Sequence, residues 1–190
     1  LLRRQRQMCI RDRPCPGGTY GSTEGLGSSS CSGECLGGYY CPTASTKRNQ
    51  NECGDAKFYC PPGSPAPIPV WTGYYSQGGN VDGTTRVNQT KCPKGSFCRF
   101  GLRFDCPAGQ YGNEMGLSIN TCSGKAAAGY YTPAGSSSAT QKQCPAGRYG
   151  TGGNTDEKCS GPCAKGHYCP KNSTSQTQFK CPAGRYGDIE

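Results

Sequence analysis

Large apolar side chains follow no helical period along the chain, and aromatic residues recur instead within short blocks. Glycine and proline are too frequent for helices, and no apolar spacing of 3.6 residues is present. One block reads Cys-Pro-x-Gly-x-Tyr-Gly, as at residues 15–21. Its proline and glycine predict a tight turn, and its tyrosine predicts the start of a short strand. A second block, Gly-x-[Tyr/Phe]-Cys, predicts the strand that pairs with the first in a small hairpin.

Composition argues against an ordinary globular core. Leu, Ile, Val and Phe make up about a tenth of the 190 residues, where a globular domain carries at least about a fifth. Burying so little apolar area cannot offset the conformational entropy of ordering the chain, about 1–2 kcal/mol per residue. Sixteen cysteines predict that disulfides hold the fold instead. The predicted fold class is small and disulfide-rich, with mostly short β-hairpins and loops and almost no helix.

Cysteine spacing shows an internal repeat. The opening block recurs at 106–112, 144–150 and 181–187. Two sets of five cysteines have nearly the same separations, 15, 3, 5 and 11 residues in one and 14, 3, 5 and 11 in the other: Cys15, Cys31, Cys35, Cys41, Cys53, and Cys144, Cys159, Cys163, Cys169, Cys181. Modules in tandem that contact chiefly their neighbours predict an elongated rod.

The repeat divides the chain into four segments and the beginning of a fifth. These are 14–52, 53–105, 106–143 and 144–180, followed by 181–190 as a truncated repeat. The second segment is degenerate and contains a proline-rich insert at 61–91. We predict polyproline-like chain followed by a surface loop there, with Trp71 docking the insert.

One repeat has lost two cysteines together, because Ala126 and Thr132 stand where Cys163 and Cys169 stand in the next repeat. A disulfide partner left alone would be a reactive thiol, so partners tend to be lost as a pair. The loss predicts that the equivalents of the missing pair bond to each other, and that the retained cysteines also pair. The short loop from 163 to 169 is copied at 92–98, and at 53–60 with one extra residue.

This reasoning predicts seven disulfides and leaves two cysteines over. The predicted pairs are Cys15–Cys31, Cys35–Cys41, Cys53–Cys60, Cys92–Cys98, Cys106–Cys122, Cys144–Cys159 and Cys163–Cys169. Cys9 and Cys181 remain without a partner in this sequence. We expect the partner of Cys181 to lie beyond residue 190.

The blocks resemble ephrin-receptor-like cysteine-rich repeats. The resemblance is carried by Cys-Pro-Ala-Gly-Arg-Tyr-Gly, the close cysteine pair that follows 14–15 residues later, and Gly-x-Tyr-Cys-Pro. It covers 14–190, tightly at 15–53 and 106–187 and loosely at 53–105. The resemblance implies extracellular, disulfide-bonded hairpin modules in tandem, similar in style to tumour-necrosis-factor-receptor and growth-factor-receptor modules. Such modules often belong to large surface proteins of single-celled eukaryotes.

Residues 1–13, LLRRQRQMCIRDR, share nothing with the repeats. The run 7–13 back-translates as CAG ATG TGT ATA AGA GAC AGN, which is similar to a transposon-end adapter used in sequencing libraries. We expect residues 1–13 to be translated adapter, and the alternative is a genuine basic arm. Without these residues the formal charge falls from +9 to +5, and the remaining charges are scattered. Nucleic-acid binding, which needs clustered basic residues, is not expected.

Zinc binding and catalysis are the alternative chemistries. Cys31/Cys35 and Cys159/Cys163 have ligand-like spacing, but a closed zinc site needs four ligands. The repeat at 106–143 keeps only two cysteines, which suits a lost bridge better. His167 has no accompanying residues for acid–base or nucleophilic catalysis. We therefore expect no metal, no cofactor and no enzymatic activity.

Two glycosylation sequons, at Asn88 and Asn172, lie in predicted loops and favour secretion. No apolar run is long enough to span a membrane, so membrane attachment would need an anchor elsewhere in a longer parent protein. We expect an extracellular or cell-surface location, with neighbouring repeats of the chain as the first partners. Two functions are open: a structural or adhesive spacer, or a receptor ectodomain that binds a protein ligand through 61–91.

Overall fold

The computed structural model describes residues 13–80 and 83–187, which form two compact units. The first unit consists of the described residues of Leu1–Val70 together with Ser76–Thr90, and the second of Trp71–Tyr75 together with those of Lys91–Glu190. The expected adapter, except Arg13, lies outside the described residues, and so does Cys9.

Two-stranded antiparallel hairpins follow one another through both units, and the described residues contain no helix. In the first unit the paired strands are β1 (Thr19–Tyr20) with β2 (Gly33–Glu34), β3 (Tyr39–Tyr40) with β4 (Asn51–Glu52), and β5 (Phe58–Tyr59) with β6 (Ile68–Pro69). The boundary between the units runs through the hairpin of β7 (Tyr74–Gln77) and β8 (Asn88–Lys91).

The second unit continues the same architecture. Its paired strands are β9 (Ser96–Arg99) with β10 (Leu102–Asp105), β11 (Gln110–Tyr111) with β12 (Gly124–Lys125), β13 (Tyr130–Tyr131) with β14 (Lys142–Gln143), β15 (Arg148–Tyr149) with β16 (Gly161–Pro162), and β17 (His167–Tyr168) with β18 (Phe179–Lys180). The predicted disulfide-rich, mostly β fold class is confirmed.

Strand pairing differs from the sequence prediction. β1 pairs with β2, and β3 pairs with β4, so the two sequence blocks do not form one hairpin together. Each block opens a hairpin of its own because both carry a turn glycine followed, within two residues, by an aromatic residue that lies in the first strand. One sequence repeat therefore contains two hairpins of the same build.

The prediction of polyproline-like chain followed by a surface loop at 61–91 is wrong in leaving out strands, whereas the described residues 78–80 and 83–87 do form a loop between β7 and β8. This segment contains all of β6, β7 and β8. The run Val70-Trp-Thr-Gly-Tyr-Tyr-Ser repeats the turn block without its cysteines, which explains why a strand begins at Tyr74. Trp71 keeps 63% of its surface exposed and meets the ring of Tyr74 edge-on, with the ring centroids 5.6 Å apart.

We call each hairpin, with the turn that leads into it, a module. The modules are 15–34, 35–52, 53–69, 70–91, 92–105, 106–125, 126–143, 144–162 and 163–180. The apolar side chains buried within the described residues are ten cysteines and Ala126, with no Leu, Ile, Val or Phe among them. Disulfides therefore occupy the place of an aliphatic core.

At six of the eight junctions, consecutive modules are joined by the same four backbone hydrogen bonds. Between 106–125 and 126–143 these run from Ala126 N–H to Gly109 C=O (2.9 Å), Gly109 N–H to Thr132 C=O (2.7 Å), Gly112 N–H to Ser136 C=O (2.9 Å) and Gly135 N–H to Cys106 C=O (2.9 Å). The same four bonds recur at five other junctions within the two units. At these junctions, the backbone N–H and C=O groups of a turn thus find their hydrogen-bond partners in the neighbouring module.

Candidate functional site

The disulfide framework places seven pairs of cysteines together, with Cα–Cα distances between 5.7 and 6.0 Å. Three bridges close long loops across a hairpin: Cys15–Cys31, Cys106–Cys122 and Cys144–Cys159. Four bridges close the short loop around a turn: Cys35–Cys41, Cys53–Cys60, Cys92–Cys98 and Cys163–Cys169. These are the seven pairs predicted from spacing.

The cysteines with zinc-like spacing belong to different bridges. Cys31 bonds to Cys15, whereas Cys35 bonds to Cys41. No group of three or more His, Cys, Asp or Glu residues within 13–80 and 83–187 is arranged to hold a metal ion. The close pairs are therefore meeting points of two disulfides, one from each of two consecutive modules.

The module at 126–143 keeps its fold without a bridge. Ala126 is 4% exposed and Thr132 is fully buried, so both fill the positions that a disulfide occupies in other modules. The hydroxyl oxygen of Thr132 is buried without a hydrogen-bond partner. The junction bonds on both sides of this module are the same as elsewhere. Backbone bonding between neighbours therefore maintains the module where covalent bonding is missing.

A set of buried serines was missed by the sequence reasoning. Each hydroxyl donates to the carbonyl of a proline three residues earlier, at 2.6–2.7 Å: Ser45 to Pro42, Ser64 to Pro61, Ser136 to Pro133, and Ser173 to Pro170. All four serines are 3–4% exposed. Their carbonyls accept one of the four junction bonds from the preceding module. The recurring Pro-x-x-Ser run was the available signal for these residues.

The two sequons lie in different surroundings. Asn88 is exposed, but it begins strand β8 rather than lying in the predicted loop. Asn172 has a left-handed backbone with φ of 68°, and its side-chain oxygen is buried without a partner. That oxygen and the Asn172 carbonyl lie against Gly129. Only the first sequon offers a freely exposed asparagine.

His167 and Cys181 share a cleft of about 580 Å³ at the far end of the second unit, which Arg148 and Tyr186 also line. Cys181 is the free cysteine among the described residues and is half-buried. The Nδ1 atom of His167 lies 3.1 Å from the backbone oxygen of Lys165, two residues away. The contact of the ring is thus with the backbone of its own turn.

Among the described titratable groups, Asp55 has a clearly shifted pKa. The backbone N–H of Lys57 donates to its carboxylate at 2.8 Å and lowers the pKa. The Lys57 side chain adds an exposed ion pair at 3.3 Å. Both interactions order the turn that precedes β5.

No protein-family model matches the chain, and no curated protein matches its sequence. The described residues include no helix with the length and apolar character to cross a membrane.

Proposed function

We propose that the chain is part of a secreted or cell-surface protein in which tandem cysteine-rich modules serve as a disulfide-stapled structural or adhesive spacer. The observation that carries this proposal is the recurrence of the same four backbone bonds at successive junctions. The bonds persist on both sides of the module at 126–143, which has no disulfide. Repeated junctions of one kind suit a segment whose role is to hold flanking parts of a protein at a distance.

The chemistry of the bridges supports the proposed location. Disulfides form and persist in oxidising compartments, and they are rare in the cytosol. Fourteen of the cysteines are bonded in pairs. A small module with no aliphatic core depends on these bridges, each contributing about 2–4 kcal/mol by restricting the unfolded chain. We also propose membership of the ephrin-receptor-like repeat family and a non-enzymatic role, on the sequence blocks described above.

A non-reducing peptide map of the chain secreted from a eukaryotic host tests the basis of the proposal. We expect peptides joined by Cys35–Cys41, Cys106–Cys122 and Cys163–Cys169. Free thiols at these positions, or bridges between different repeats, would contradict the framework and direct attention to zinc analysis.

The full-length transcript separates a spacer from a receptor. Many further modules without a signalling domain are expected for a spacer. A single transmembrane helix followed by a signalling domain would favour the alternative, a receptor ectodomain whose ligand binds at 61–91. The turn block at 70–76 leads into β7 as the corresponding blocks do in other modules, which supports the spacer, whereas the four-residue strands of β7 and β8 would suit the alternative.

A further inference from the structure

The β9–β10 hairpin differs from the four hairpins that follow it because its strands have four residues instead of two. A two-residue turn joins the strands, so the pair Arg99–Leu102 closes the ladder. In an antiparallel ladder, hydrogen-bonded and non-bonded pairs alternate. Arg103 and Asp105 therefore direct their backbone N–H and C=O groups away from β9. All four residues of β10, the outer strand of this two-stranded sheet, are exposed.

One face of this hairpin is apolar. Cross-strand pairing places Leu102 and Phe104 on the same face as Phe97, and the rings of Phe97 and Phe104 stack with centroids 5.3 Å apart. Leu102 and Phe104 are 43% and 44% exposed. Phe100 in the turn is 62% exposed and has a φ of 54°, a backbone that favours Asn or Gly. A large apolar residue is thus displayed where turn chemistry favours a small polar one.

Positive charge is concentrated in residues 91–105, the segment that contains this hairpin. The segment at 91–105 contains four exposed basic residues, Lys91, Lys94, Arg99 and Arg103. Asp105 is its one carboxylate. The Arg103–Asp105 ion pair is 3.9 Å long and solvent-exposed. Because exposed ion pairs are weak, Asp105 neutralises little of the positive charge of this segment. The segment carries a net charge of +3, more than half of the +5 carried by residues 14–190.

We infer that β10 is the docking edge for an extended, acidic protein segment of another chain, which would add to β9 and β10 as a third strand. The outward N–H and C=O groups of Arg103 and Asp105 supply the backbone pairing, as in other cases of strand addition. Leu102 and Phe104 supply apolar contacts to alternate side chains of the partner, and Arg99 and Arg103 of the hairpin attract its carboxylates, with Lys91 and Lys94 adding to the positive charge of the segment. Backbone pairing favours a peptide over a lipid surface or a polysaccharide, neither of which offers a matching ladder.

Binding of a fluorescein-labelled peptide of alternating glutamate and valine to the full chain tests the inference. We expect Phe104→Thr to weaken binding about tenfold or more, as for a central aromatic anchor. The matched control is Phe179→Thr, because Phe179 is 45% exposed and stacks on Tyr168 at the same 5.3 Å. The control should bind within about twofold of the unchanged chain. Equal weakening by both substitutions would overturn the proposal.

A second measurement leaves the protein unchanged. The same peptide, N-methylated on alternate residues so that one edge loses its N–H donors, should bind about tenfold more weakly or not at all. Undiminished binding of this peptide, or equal binding of a lysine–valine peptide, would refute strand addition. Phosphatidylserine vesicles and heparin test whether the hairpin binds anionic lipid or polysaccharide instead of a peptide. Binding to either, lost in Arg99→Gln with Arg103→Gln and accompanied by no peptide binding, would replace the proposal with a simple polyanion site.

Discussion

Gly109 is the position at which the junction geometry is most directly tested. Its φ of 84° lies in the left-handed region, and its N–H and C=O make two of the four junction bonds. A Cβ at this position would lie 2.6 Å from the carbonyl oxygen of Gly153 and 3.2 Å from Cγ2 of Thr155. Because Gly153 belongs to the next module but one, Gly109→Ala probes how closely alternate modules approach each other.

Gly166 provides the matched control. It has a φ of 74° and makes the same pair of backbone bonds, but no described atom lies within 4 Å of the Cβ position. Alanine at either position costs about 1–2 kcal/mol for the left-handed backbone. At Gly109 the contact with a carbonyl oxygen adds about 1–3 kcal/mol of overpacking. We expect Gly109→Ala to lower the free energy of unfolding by about 2–5 kcal/mol, and Gly166→Ala by about 1–2 kcal/mol.

Urea unfolding with intact disulfides, followed by near-ultraviolet circular dichroism, measures both losses. Hydrogen exchange of the Ala126 amide, which donates to the Gly109 carbonyl, locates the change at the junction. Exchange should accelerate in Gly109→Ala and stay unchanged in Gly166→Ala. Losses that agree within about 0.5 kcal/mol would show that the approach of alternate modules contributes nothing, and would refute the packing argument.

Four further outcomes are expected. Replacing Ala126 and Thr132 together by cysteine should form a new bridge and stabilise the chain by about 2 kcal/mol, measured by thiol titration and urea unfolding; two free thiols would count against the equivalence of these positions with a bridge. Thr132→Val removes a buried hydroxyl without a partner and should raise stability by about 1 kcal/mol, whereas a loss would reveal a partner for that hydroxyl. In the secreted chain we expect a glycan at Asn88 and little or none at Asn172. Glycosidase treatment should therefore lower the mass of the peptide that contains Asn88, and peptide mass mapping decides which asparagine is occupied. The depressed pKa of Asp55 favours folding above the unfolded pKa, so this contribution is lost as pH falls through the folded pKa; Asp55→Asn should flatten the acid limb of a pH–stability curve, and an unchanged curve would contradict the assignment.

Covalent pairing could be predicted from sequence because it has a simple logic. The joint absence of cysteines at Ala126 and Thr132 identified one class of bridge. Because the other repeats have the same cysteine spacing, the same pairing could be assigned to them. The structure contains the same seven pairs. The lack of helix in the described residues also followed from the sequence, since glycine and proline are frequent and no apolar period of 3.6 residues is present.

Strand pairing and the junctions could not be predicted in the same way. A strand of two residues, such as β1 or β3, has no alternating pattern that identifies its partner. The junction bonds join backbone groups, so the side chains at these positions carry little trace of them. Pro-x-x-Ser runs and turn glycines were the visible signs, and their meaning depends on contacts with another module.

The position of the bridges determines how the chain would respond to mechanical tension. Where Cys106–Cys122 closes a hairpin, tension passes through the bridge, and the residues between the two cysteines cannot extend. The module at 126–143 has no such shortcut, because its cysteine positions hold Ala126 and Thr132. Its full contour length, about 60 Å at about 3.4 Å per residue, can be released once its backbone bonds break. Under tension, such a disulfide-free module would thus release more length than a module whose hairpin is closed by a bridge like Cys106–Cys122.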